Sequence, residues 1–120
     1  MKIAMFYDYD PNNPDEWGTP VGIYQQLKKN HVVERYPLPA SDKTLGFRLF
    51  KNGGFKPDFC FLMNAGPLRE GTEYWNKSTL GDVPLVLEAG DEPQTYQSHI
   101  TLSENSDVVL TPDARCVDAY

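Results

Sequence analysis

Asp58–Met63 reads DFCFLM, five apolar residues behind one acid. Lys2–Tyr7 reads KIAMFY, and Pro84–Leu87 reads PLVL. A strand wetted on one face alternates apolar and polar residues, whereas an unbroken apolar run is buried on both faces. Burial on both faces is the usual condition of parallel strands covered by helices. Two further runs complete the set: His31–Tyr36 (HVVERY), ended by Pro37 and Pro39, and Asp107–Leu110 (DVVL).

Helical patterns separate the five runs. Thr19 offers an N-cap and Pro20 an N1 residue, followed by Val21, Tyr24 and Leu27, with Lys28 and Lys29 at the C-terminal end. Lys43–Asn52 places Leu45, Leu49 and Phe50 on one face and stops at Gly53-Gly54. Asp91-Glu92-Pro93 opens a helix with Tyr96, His99, Ile100 and Ser103 on one side. Thr111-Pro112 opens a last one through Ala114, Val117 and Tyr120. Strands alternating with helices predict an α/β fold: an open, doubly wound, mainly parallel five-stranded sheet, Rossmann-like, with helices on both faces. Residues 1–120 form one such domain. Because the last helical pattern runs to Tyr120 without a cap, the expectation is the N-terminal half of a larger two-domain protein.

Composition narrows the class. Leu, Ile, Val and Phe number 28 of 120 residues, enough for a core in a chain of this length. Eleven basic and 17 acidic side chains give a net charge of −6, which argues against a nucleic-acid partner. No apolar run approaches the roughly 20 residues of a membrane span. Met1-Lys2 leads straight into the first strand rather than into a signal peptide, so the cytoplasm is the expected compartment. Cys60 and Cys116 form no CxxC motif and are expected to be free thiols.

Ligands of such sheets bind beyond the carboxyl ends of the strands. Here those ends carry Asp8-Tyr9-Asp10, Asn64-Ala65-Gly66, Glu88-Ala89-Gly90-Asp91-Glu92 and Thr111-Pro112-Asp113. Asp8, Asp10 and Asn12 resemble the start of a calcium loop, but Asn13 stands where glycine is required and Thr19 where glutamate is required. His31 is expected to pack or be solvated at a strand start, and His99 lies on a polar helix with no ligand partner at i+4, so no metal is expected; no cofactor is expected either. Gly18 opens the first helix, where free N–H groups could meet an anion. Gly66 and Gly90 would let a ligand approach the backbone. The candidate binding residues are Asp8, Gly18, Asn64, Gly66, Gly90 and Glu92. Asp91, following Gly90 and opening a helix, is the candidate general base; plain N-capping is the alternative role.

TPVGIYQQLKKNHVVERYPL, with Gly18 before it and Leu27, His31 and Val33 within it, resembles the glycine-start helix and second strand of GT-B glycosyltransferases. PLVLEAGDEPQTY followed by SDVVLTPDARCVDAY resembles the CgeB-like (spore-maturation-type) members. A single glycine, Gly18, stands where many members carry two. The resemblance implies an N-terminal domain that faces the acceptor. The nucleotide-sugar donor would be held mainly by a C-terminal domain, and Asp91 falls where the family carries an acid. The rival reading is a degenerate response-regulator receiver, which has Asp8 and Asp10 but Asn64 for the phosphoacceptor and Thr111 for the lysine. Strand order 3-2-1-4-5 is expected of the glycosyltransferase half, and 2-1-3-4-5 of the receiver.

Overall fold

The computed structural model describes residues 1–9, 12, 18–63, 71–89 and 96–111, with the backbone alone for 96–99. Five strands, β1 (Lys2–Tyr7), β2 (Val32–Pro37), β3 (Phe59–Met63), β4 (Leu85–Glu88) and β5 (Val108–Leu110), form one sheet. Every pairing is parallel: Ile3 lies opposite Val33 and Phe59, Leu62 opposite Leu87, and Glu88 opposite Leu110. The order is β2-β1-β3-β4-β5, the one set out above for the receiver.

The unbroken runs split residue by residue between two cores, because successive side chains point to opposite faces. Ala4, Phe6, Cys60, Leu62, Leu85 and Leu87 face one side. Ile3, Met5, Tyr7, Phe61 and Met63 face the other. Helix α1 (Thr19–Leu27) covers the second face through Val21, Ile23, Tyr24 and Leu27. Helices α2 (Leu45–Gly53), α3 (Lys77–Leu80) and α4 (Tyr96–Glu104) cover the first through Phe47 and Phe50, Leu80 and Leu102.

Three local expectations need correction, and one segment carries no periodic signal. Gly18, at φ 111°, precedes α1 as its cap, and Thr19 is the first helical residue. In α2 the buried residues are Gly46, Phe47 and Phe50, while Leu49 is exposed, because it lies about 200° around the helix from Phe47. β5 is an edge strand whose Val108 and Leu110 are exposed; only Val109 packs inward. Between β3 and β4 the chain forms a 3-10 turn, Thr72–Tyr74, and α3, which the apolar spacing did not foretell. This segment delivers Trp75, fully buried, to the first core. No helix among the described residues is long and apolar enough to cross a membrane.

Candidate functional site

Parallel strands bring the ends of β1 and β2 side by side, with Tyr7 opposite Pro37. Beyond them lies a cavity of about 510 Å3 lined by Asp8, Tyr9, Asn12, Pro37, Pro39, Ala40 and Leu45. Each wall has a local cause. Leu38 N–H donates to the Tyr7 carbonyl at 3.1 Å, tying the β2–α2 loop to the end of β1. Lys43 Nζ donates to the Leu38 carbonyl at 3.3 Å. The loop then turns on Asp42. Its carboxylate accepts from Thr44 N–H at 3.0 Å, from the Thr44 hydroxyl at 2.7 Å and from Arg48 Nη2 at 2.7 Å. Arg48 also donates to the Thr44 hydroxyl. These donors, Arg48 first and then Thr44, hold the Asp42 carboxyl well below the usual carboxylate range. Asp42 is therefore spent on starting α2, and Leu45, the first residue of that helix, becomes a cavity wall.

Tyr9 is fixed from the β2 side. Its hydroxyl donates to the Arg35 carbonyl at 3.1 Å, and its ring centre lies 4.7 Å from the Arg35 guanidinium carbon. That guanidinium also lies 4.1 Å from the Tyr24 ring centre and donates to the Tyr7 hydroxyl at 3.1 Å. Arg35 thus joins β2, α1 and the end of β1 by stacking and hydrogen bonding. The Tyr9 ring leans on Tyr7 at 5.0 Å between centres. A half-buried aromatic ring is held in a set orientation at the cavity wall.

Of the candidate residues, Asp8 lines this cavity and is exposed to solvent. Gly18 heads α1 and is not among the lining residues. Asn64, Gly66, Gly90, Asp91 and Glu92 lie outside the described residues, as do Asp10 and Cys116. Glu88, half-buried, ends β4, and Ala89 N–H donates to the Leu110 carbonyl at 2.8 Å, so β4 and β5 run out at the same edge. Among the described residues no group of three or more His, Cys, Asp or Glu comes together in a way that could hold a metal.

The apolar walls carry little sign in the sequence, where Pro37 and Pro39 mark the end of β2 and Tyr9 is a neighbour of two acids. The signal available was the Pro-x-Pro spacing itself, which keeps the chain extended as it leaves the sheet edge.

Chemically the described residues of the cavity offer flat apolar surface, a carboxylate and a carboxamide, with no cation among the described lining residues. Comparison with known proteins returns no matching family model, no matching curated protein and no matching solved structure.

Proposed function

We propose that the chain is the acceptor-side domain of a glycosyltransferase, an enzyme moving sugar from a nucleotide-sugar donor to an acceptor. The single observation that favours this reading is the composition of the carboxyl-edge cavity, taken with the GT-B-like and CgeB-like stretches of sequence. A sugar presents C–H faces to flat surfaces such as Tyr9, Pro37 and Pro39, and hydroxyl donors to a carboxylate such as Asp8. A phosphoryl group asks for cations or clustered N–H donors, and the Asp8 carboxylate would repel it. The donor nucleotide is held mainly by a second domain, and neither metal nor organic cofactor takes part. Asp91, two residues beyond Ala89, is the proposed general base that accepts the proton of the acceptor hydroxyl.

Saturation-transfer NMR of the 120-residue chain with a panel of simple glycosides tests the reading. Saturable binding is expected, weakened about tenfold or more by Tyr9→Ala and retained by Tyr9→Phe, which keeps the ring. The chain alone should transfer no sugar, since one domain positions only one reactant. In the two-domain enzyme, Asp91→Asn should lower turnover on the order of 10²-fold while leaving the melting temperature near its starting value. Normal turnover in Asp91→Asn, with only a lower melting temperature in Asp91→Ala, would reduce Asp91 to a helix cap.

A degenerate receiver-like binding module is the second reading, and the strand order favours it. The dinucleotide-binding order 3-2-1-4-5-6 reduces to 2-1-3-4-5 only when its outermost strand is lost and the rest renumbered, so the strand order weighs for the receiver and the glycosyltransferase reading rests on the cavity and the sequence stretches. The residues do not favour phosphotransfer: Asn64 and Thr111 stand where the acceptor carboxylate and the lysine would be. Incubation with acetyl phosphate and Mg²⁺ separates the two readings. Phosphate incorporation, or a Mg²⁺-dependent shift at Asp8 without glycoside binding, would support the receiver.

A further inference from the structure

We propose that the opposite, amino edge of the sheet carries a second binding site, which takes a small apolar carboxylate of the fatty-acid class. A groove of about 360 Å3 opens there between the segments leading into β3 and β4. This volume falls in the range of roughly 300–1,000 Å3 typical of small-molecule sites. Its walls include Phe50, Phe55, Leu80 and Val83, so the surface offered is largely hydrocarbon and aromatic.

Two glycines line it. Gly54, at φ 74°, ends α2, and Gly81, at φ 86°, ends α3. Both line the groove, and a Cβ at either would meet nothing within 4 Å. The two helices therefore stop at the groove without sending a side chain into it from these positions.

The charge of the lining selects the ligand's polar end. Lys51 and Lys56 line the groove, both are exposed, and neither has an ion-pair partner among the described residues. Lys77, by contrast, is engaged with Asp107 and with the Val83 carbonyl. Asp82, flanked by two lining residues, is exposed and does not itself line the groove. The C-terminus of α2 directs partial negative charge toward this edge, and Lys51, in its last turn, offsets it. Lys56 is left to meet a ligand anion. In a chain of net charge −6, two lysines over an apolar groove make an amphiphilic anion the matching ligand. The acyl chain lies against Phe50 and Phe55, and the carboxylate reaches the Lys56 ammonium, while Lys51 keeps the helix end from repelling it. This site is built from residues apart from the carboxyl-edge cavity, so it stands or falls independently of the glycosyltransferase reading.

Decanoate and 1-decanol, which share a chain and differ in charge, are the probes. The 120-residue chain is titrated with each while amide shifts are recorded by NMR. Decanoate should saturate below about 1 mM, with shifts at residues 54–57 and 79–83, and decanol should bind about tenfold more weakly. The double variant Lys51→Gln, Lys56→Gln should bring decanoate down to the affinity of decanol and leave decanol unchanged. Val83→Trp should block both. Equal binding of decanol and decanoate overturns the proposal, as do shifts confined to Asp8, Tyr9 and Ala40, or no saturation up to several millimolar. Preference for a short apolar peptide with a free C-terminus over decanoate overturns the fatty-acid assignment.

Discussion

Asp107 and Leu85 exchange two hydrogen bonds across the heads of β5 and β4. Asp107 N–H donates to the Leu85 carbonyl at 2.8 Å, and Leu85 N–H donates to the Asp107 carboxylate at 2.7 Å. Asp58 and Lys2 repeat the arrangement at the heads of β3 and β1, with both distances 2.7 Å. In each case the acid stands immediately before its strand, and its side chain extends the ladder ahead of the first strand residue. This explains why two apolar runs, DFCFLM and DVVL, begin with the same residue.

The Asp107 carboxyl is held below its usual range, first by the hydrogen bond from Lys77 and then by that from Leu85 N–H. A carboxyl whose folded pKa is depressed adds stability above its unfolded pKa of about 3.9 and loses it as pH falls through the folded value. Asp107→Ala should therefore cost about 1 kcal/mol near neutrality, a modest figure because solvent screens the pair. Urea unfolding of both proteins from about pH 7 down to pH 2 should show the gap narrowing only below about pH 4. A gap constant over that range would assign the effect to something other than the ionised carboxylate.

Gly46 and Gly22 should respond oppositely to alanine. A Cβ at Gly46 would collide with the Pro37 carbonyl, where α2 crosses the end of β2. Gly46→Ala is expected to cost roughly 1–3 kcal/mol by forcing the two apart. Gly22 lies within α1 with nothing within 4 Å of a Cβ, so Gly22→Ala should add roughly 0.5–1 kcal/mol by helix propensity. Thermal melting of the two variants checks the sign of each.

Trp75 and Ser106 form a relay inside the first core. The indole N–H donates to Ser106 Oγ at 2.8 Å, and the serine hydroxyl donates to the Leu102 carbonyl at 2.8 Å. Ser106→Ala strands a buried indole N–H and should cost roughly 1–3 kcal/mol. Trp75→Phe removes both the donor and ring volume. Because the two residues share one bond, the double variant should cost less than the sum of the single ones, by about 1 kcal/mol. Strict additivity in denaturant titrations would show that the bond contributes nothing.

Cys60 is fully buried in β3, and burial pushes its thiol up to about 12. It should stay protonated and unreactive in the folded chain. In a Cys116→Ser background, a disulfide reagent at about pH 8 should label Cys60 at the rate of unfolding and not faster. Rapid labelling in native buffer would contradict its position in the core.

The strands were legible because continuous apolar runs have only one common use in an α/β chain, and all five appear with their ends within about a residue or two of the expected positions. Parallel pairing followed from the same runs, since only helices on both sides can dry both faces. The end of α2 at Gly53-Gly54 and the burial of Cys60 within its apolar run were equally legible. Which face each helix took, and which strand lies beside which, depends on contacts between residues distant along the chain. Apolar spacing favoured Leu49, but the tertiary packing buries Phe47, because the ring stack of Phe6, Tyr36 and Phe47 fixes how α2 is turned. Trp75 carried no periodic signal, and its place in the core is decided by α4 and Ser106 meeting it from far along the chain. Asp8 could be placed at the carboxyl edge of the sheet from sequence because a strand end fixes its neighbour. The walls around it could not, since Pro37, Ala40 and Leu45 reach Tyr9 only after β2 docks on β1 and Arg35 closes on the tyrosines.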